Sequence, residues 1–244
     1  MKILKYNLTR KDFVPPLLLK VLGRDRQQTL KYYYHDALRS HSQYNEDLII
    51  DAILKCKEKG IYVDVGANHP DQLSNTKRFY DRGWHGINIE PNPRAYEVFR
   101  TKRERDINLN IGVGEKRGVC PFYSMSINTL SSFDKESALK SGKHYNAKLE
   151  EVLEIPVVPL KEVFKEHLDD SHVDFMSIDT EGYDMNVLLS NDWASYRPSL
   201  IMIETGETKD FISKFLADNG YVMVFDNFTN AIYMEKDFPL FKAV

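Results

Sequence analysis

From residue 45 onward apolar and polar positions alternate between two periods. Leu48, Ile49, Ala52, Ile53 and Cys56 recur at helical spacing, with Ser42 or Asn45 placed to cap the helix they predict. A short apolar strand follows at Ile61–Val65, then a helix around Asn75–Arg82, a strand at Gly86–Glu90 and a helix from Pro93 to about Arg103. Further strands are expected at Ile107–Val113, Val173–Asp179 and Ser199–Thr205. Helices are expected at LKEVFKEHL, after Tyr183 and around Asp210–Asn219. The last two strands, YVMVFD and NAIYME, flank the polar tetrad Asn227–Asn230 and read as a hairpin. Short, doubly buried strands alternating with helices predict an α/β fold: a mainly parallel, doubly wound sheet covered on both faces, with an antiparallel hairpin added at its end.

Residues 115–158 break the pattern. Val119–Tyr123 and Val152–Val158 have strand character, but Ser124–Ala147 is rich in Ser, Lys and Asn and carries no helix strong enough for a simple crossover. A long irregular stretch in a compact domain points to function, so an insert around residues 119–158 is expected to recognise substrate.

Length and composition narrow the setting. The 244 residues suit one elaborated domain, residues 42–244, preceded by an N-terminal helical extension over 1–41. With 33 basic and 36 acidic residues the net charge is -3, which offers no electrostatic footprint for nucleic acid. Cys56 and Cys120 are far apart and form no CxxC or Cys/His cluster, which fits a reducing, cytoplasmic setting. Near the N-terminus the apolar run Phe13–Leu22 is interrupted by Pro15, Pro16 and Lys20. It is too short to span a bilayer, and reads as a packing helix or a weak peripheral membrane contact. The oligomeric state is left open.

The loop after the first strand, in YVDVGANHPDQLSNTKRFY, has one glycine where a pyrophosphate site needs several, and no GK[ST] follows. A dinucleotide or triphosphate is therefore not the expected ligand. The second strand ends in Glu90, 24 positions after Gly66 (90 minus 66). That is close to the ~20 at which an acid accepts ribose hydroxyls in such sheets. A ribose without phosphates is expected, and S-adenosylmethionine meets that description.

The run YVDVGANHPDQLSNTKRFYDRGWHGINIEPNP resembles the FkbM-type family of S-adenosylmethionine-dependent methyltransferases. SQYNED, DINLNIGVGE, NTLSSF, DFMSIDTEGYDMNVLL and YRPSLIMIET are similar to the family's other blocks, in order, so the resemblance covers roughly residues 42–226. It implies a Rossmann-like methyltransferase fold and methyl transfer to oxygen, commonly a hydroxyl of a sugar or similar polyol in polysaccharide assembly. It leaves the particular acceptor open. Ser177 stands where many relatives carry lysine. The alternative is a non-catalytic methyltransferase-like module that docks a glycan or protein partner.

The cofactor-binding candidates are Gln43, Tyr44, Asp64, Gly66, Ala67, Asn68, Glu90, Pro91, Ile111 and Asp179. Asp64 lies inside a strand, where a carboxylate needs a partner, and the resemblance implies that it orders the loop. Gly66 lets the backbone pass close to the methionine tail. Asn68 either bonds the tail carboxylate or caps a turn. Asp179 and Glu181, at the end of the fourth strand of the main pattern, are candidate proton acceptors, and His69 is a third. Asp179 or Thr180 could instead cap the helix near Tyr183. No residue is assigned as a metal ligand, although with Glu204 and Glu207 these carboxylates could bind Mg²⁺.

Overall fold

The structure is a computed structural model that describes residues 40–238 except Cys56 and Asp170. The helix expected at Phe13–Leu22, almost all of the N-terminal extension, and Cys56 lie outside the described residues. The chain runs α1 (Glu46–Ile53), β1 (Ile61–Val65), α2 (Lys77–Arg82), β2 (His85–Ile89), α3 (Pro93–Lys102), β3 (Ile107–Leu109), β4 (Gly112–Val113) and β5 (Gly118–Met125). It continues through α4 (Lys135–Tyr145), β6 (Leu149–Val158), α5 (Leu160–His167), β7 (Phe175–Ile178), α6 (Asp184–Leu189), β8 (Leu200–Glu204), α7 (Lys209–Asp218), β9 (Tyr221–Asp226) and β10 (Asn230–Glu235).

Seven strands form the main sheet in the order β3-β2-β1-β7-β8-β10-β9. The five from β3 to β8 are parallel; β10 and β9 are antiparallel and form the expected hairpin. Because successive side chains point to opposite faces, alternate strand residues enter different cores. Val63, Val65, Met176, Ile178, Ile201 and Ile203 join one apolar cluster with Leu160, Phe164 and Leu216 from the helices. Tyr62, Phe175, Leu200 and Met202 join the other with Ile50, Ile53, Phe79 and Trp84. Burial on both faces explains the uninterrupted apolar runs. The Phe79 ring packs 4.6 Å from Phe175 and 5.0 Å from Trp84, which anchors α2 to the sheet.

Two local expectations need correction, and of the two caps offered for α1 Ser42 is the one that bonds. Ile107–Val113 is two strands, not one: β3 pairs with β2, whereas β4 leaves the main sheet to pair with β6. The Asn110 side chain causes the break by donating to the Glu90 and Pro91 carbonyls, both at 2.9 Å, so that β2's end is bonded without a continuing strand. Ser124–Ala147 contains an 11-residue helix, α4, started by Asp134, whose side chain accepts from Ser137 N–H at 2.6 Å. Asn45 occupies the α1 N-cap position in a left-handed conformation (φ 69°) without a side-chain cap, and Ser42 Oγ accepts the Asp47 N–H at 3.3 Å instead.

The expected extra strands lie within β5 and β6, which form a second sheet of order β4-β6-β5. Phe133 links this sheet to the main body. Its ring occupies the space beside Gly112, where an added Cβ would stand 2.3 Å from the ring. It also contacts Phe122 (4.9 Å) and Tyr183 (5.6 Å between ring centroids).

Candidate active site

The chain moves outward from β1 through β2 to β3, then returns to place β7 on the other side of β1. Strand order reverses there: the two strands stay paired to their carboxyl ends, but the chain leaves them toward opposite sides of the sheet, the place where such sheets bind ligands. A cavity of about 460 Å³ opens at this edge, within the usual range of a small-molecule site.

One end of the cavity is built on β1 and β2. Gly66 N–H and Ala67 N–H both donate to the Ile89 carbonyl, at 3.0 and 3.1 Å, which pins the loop across the tip of β2. Gly66 has φ +79°, and a Cβ there would lie 1.9 Å from the Asp179 carbonyl oxygen. The glycine is therefore required where two strand ends cross, a stronger demand than room for a ligand. Asn68 also adopts a left-handed conformation (φ 51°), which turns its N–H to Glu90 Oε2 at 2.7 Å.

Glu90 Oε1 accepts a second bond, from Asn92 N–H at 2.7 Å. Only 4% exposed, its carboxyl is pushed up to about 7 by burial, against the opposing effect of these two N–H donors. A carboxylate has about four lone-pair directions, so two remain for a ligand. Asn128 braces the arrangement: its Nδ2 donates to Asn68 Oδ1 at 2.5 Å, and its Oδ1 accepts from Asn92 Nδ2. Asn128 was not among the sequence candidates, although it opens the NTLSSF block.

Asp64 is buried and accepts from Thr76 Oγ1 at 2.8 Å; burial raises its carboxyl to about 6. Ser177 is its register partner on β7 and accepts from Asn75 Nδ2 at 3.1 Å. Gln43 and Tyr44 line the opening, with Ala67, Pro91 and Ile111. Tyr44 N–H donates to Oε2 of the fully buried Glu46 at 2.8 Å, and Glu46 Oε1 accepts from Nδ2 of Asn227 and of Asn230, at 3.0 and 2.7 Å.

The other end holds Asp179, Glu181 and Glu204, each offering a carboxylate oxygen within 4.8 Å of the others. All three are held above the ordinary carboxylate range, first by burial and then by neighbouring negative charge. Neither Asp179 nor Thr180 caps α6, contrary to one expectation. Asp184 reaches back instead, accepting from Thr180 N–H and Oγ1 at 2.9 Å and from Gly182 N–H at 3.2 Å. Asp179 is thereby released, and its buried Oδ1 has no hydrogen-bond partner.

Two expected residues stand elsewhere. Glu207 is exposed and pairs with Lys140 at 2.8 Å, off the cavity, so of the four carboxylates considered together only Asp179, Glu181 and Glu204 are grouped. His69 is not part of the cavity wall. Its Nδ1 accepts from Asp71 and Gln72 N–H, both at 3.1 Å, as in a turn, and burial lowers its pKa. Among the described wall residues there is no lysine, arginine or histidine, whereas Asp64, Glu90, Asp179, Glu181 and Glu204 all contribute carboxylates.

A doubly wound sheet with a one-glycine loop after β1 and a buried acid after β2 defines a Rossmann-like α/β protein. The profile of the methyltransferase FkbM domain matches residues 64–225. The chain belongs to this family of methyltransferases. Among solved structures it is similar to the FkbM methyltransferase of Methylobacillus flagellatus KT (13% identity, TM-score 0.46), covering 90% of this chain and 58% of that one. It thus spans under two thirds of that protein's length. It is also similar to the Burkholderia thailandensis 1,6-didemethyltoxoflavin-N1-methyltransferase, solved with 1,6-didemethyltoxoflavin and S-adenosylhomocysteine bound (10% identity, TM-score 0.41, covering 91% and 89%). A third is the TehB-like SAM-dependent methyltransferase of Corynebacterium glutamicum (10% identity, TM-score 0.42, covering 87% and 98%). Comparison with curated proteins finds no match. No helix among the described residues is long and apolar enough to cross a membrane.

Proposed function

We propose that the chain is a cytoplasmic S-adenosylmethionine-dependent O-methyltransferase acting on a hydroxyl of a sugar or glycan precursor. The observation that carries this reading is the charge of the cavity wall: five carboxylates and, among the described residues, no basic side chain. A wall of acids without a basic side chain offers a pyrophosphate no counter-charge, whereas a bound sulfonium favours the ionised form of these raised carboxyls. The remaining lone pairs of Glu90 suit two ribose hydroxyls. Gln43, Tyr44 and Asn68 offer polar groups to an amino-acid tail, and Asp64 steadies the loop through Thr76.

S-adenosylmethionine supplies an electrophilic methyl group when bound. The protein's part is to align an acceptor hydroxyl at the Asp179–Glu181–Glu204 end and to exclude water from it. Asp179 or Glu181, in its ionised form, would take the acceptor hydroxyl's proton at this end of the cavity. Phe122, Phe133 and Tyr183 form an aromatic wall at this end, contributed by β5, the segment after it and the start of α6. The assignment of acceptor recognition to residues 119–158 rests on that wall.

Calorimetry with S-adenosylmethionine and S-adenosylhomocysteine tests the cofactor. Methyl transfer to a panel of deoxysugar, amino-sugar and uronate glycosides then tests the acceptor. Absence of cofactor binding by the folded chain defeats the proposal. Binding without transfer to any hydroxyl leaves a docking module in its place.

A further inference from the structure

Bringing three half-buried carboxylates together is costly unless something positive joins them. None of Asp179, Glu181 and Glu204 receives a side-chain hydrogen bond among the described residues, and no lysine, arginine or histidine reaches the cavity wall. Their sheet positions make the grouping a product of the fold: Asp179 follows β7, Glu204 ends β8, and β10 is next in order.

The first residue of β10 supplies an independent observation. Asn230 is 4% exposed, lies opposite Glu204 in the ladder and lines the same cavity. Its Nδ2 is tied to Glu46 at 2.7 Å, which fixes the amide's orientation, and its buried Oδ1 has no hydrogen-bond partner. Opposed residues in an antiparallel pair share a face, with Cβ atoms about 4.5–5.5 Å apart, so Asn230 stands on the same face as Glu204 and lines the same cavity. An unpaired amide oxygen next to three unpaired carboxylates makes a set of oxygen acceptors and no donors.

We propose that Asp179, Glu181, Glu204 and Oδ1 of Asn230 form a binding site for a hard divalent cation of the Mg²⁺ class. A cation about 2.0–2.6 Å from each ligand holds opposed oxygens about 4–5 Å apart, which the 4.8 Å grouping already satisfies with little movement. Absence of sulfur or imidazole from the set selects Mg²⁺, Mn²⁺ or Ca²⁺ over zinc. At this position the cation neutralises the acceptor end of the cavity and makes an adjoining hydroxyl more acidic. That role in methyl transfer rests on the proposed function; the binding itself does not.

Mn²⁺ is the probe, followed by electron paramagnetic resonance in the full chain with and without S-adenosylhomocysteine. The expected result is one Mn²⁺ per chain, displaced by Mg²⁺, with affinity at least tenfold weaker in Glu204→Gln and in Asp179→Asn. Thermal unfolding and S-adenosylhomocysteine calorimetry on both variants verify that fold and cofactor end survive. No Mn²⁺ binding to the folded chain, or binding that both substitutions leave unchanged, overturns the site. Methylammonium is the second arm: if it binds in a Glu204-dependent way and Mn²⁺ does not, the carboxylates serve an acceptor's amine and the metal site is wrong. Loss of S-adenosylhomocysteine binding with Mn²⁺ binding retained would sink the cofactor assignment and leave the cation site standing.

Discussion

Replacing Glu90 by glutamine removes a charge while keeping the side chain's shape. In the parent both carboxylate oxygens accept backbone N–H groups, from Asn68 and Asn92. Glutamine can accept only one of these bonds, and its NH₂ opposes the other donor. For two ribose hydroxyls the change replaces a charged acceptor with a neutral one, a loss of about 1.5–3 kcal/mol, or ~10–150-fold in affinity. The pH dependence supplies an internal control. With the carboxyl near 7 in the free protein, ligand binding must release its proton below that pH. Parental affinity for S-adenosylhomocysteine should then rise about tenfold per unit up to pH 7 and level off above it. That component disappears in Glu90→Gln.

Stability runs the other way. The folded value, about 7, lies above the ordinary 4.5. The contribution is therefore fully present below about 4.5 and lost as pH rises through 7, roughly 3 kcal/mol from 2.5 units. The ligand-free glutamine variant should lack this part of the parent's decline, since it carries no ionisable group there. Calorimetry at pH 5.5 and 8.5, with thermal unfolding at both, measures each arm. Affinity within twofold of the parent at pH 8.5, in a folded variant, would refute the role given to Glu90.

Three further outcomes are expected. Gly66→Ala places a Cβ against the Asp179 carbonyl at a left-handed backbone position, which should cost more than ~2 kcal/mol and lower the melting temperature by about 4 °C or more; an unchanged melting temperature contradicts the geometry. Asp179→Asn should reduce turnover ~10²–10⁴-fold with S-adenosylhomocysteine affinity nearly intact, and wild-type turnover on an active acceptor would remove Asp179 from the catalytic groups. Asp134→Ala removes the α4 cap, worth about 1 kcal/mol, and should raise the acceptor KM more than it alters cofactor affinity, because α4 lines the cavity through Ser141 and Tyr145; equal effects on both would argue against α4 as an acceptor wall.

The parallel sheet was legible because strands buried on both faces need mostly apolar runs, and Leu200–Ile203, or Ile61–Val65 with its single Asp64, can be little else. The Asp64–Gly66–Glu90 spacing was legible for a related reason, since it follows from one β-α-β unit. What stayed hidden depends on distant side chains. Nothing local in INLNIGV reveals that Asn110 will bond the tip of β2 and divert the chain. Helix α4 buries only Ala138 and Gly142 among its apolar and small residues, so it leaves little periodic trace. Glu204 and Glu207 looked interchangeable on a line of sequence. The turn Gly206–Thr208 carries Glu207 away from the cavity, while Glu181 arrives on a left-handed bend (φ 55°) completed by Gly182.

Glu46 has a consequence for the order of assembly. It joins the segment before α1 to the β9–β10 turn across 181 and 184 residues of chain. Closing so long a loop is entropically unfavourable until intervening elements have shortened the effective distance, so these bonds belong to the last stage of folding. During synthesis the Gln43–Tyr44 rim is made before Asn227 and Asn230 and waits for them. Until then Glu46 has no amide partners from the hairpin, and Asn230 is missing from the cavity wall. The cavity wall to which Asn230 contributes is thus incomplete until the hairpin has joined the sheet beside β8.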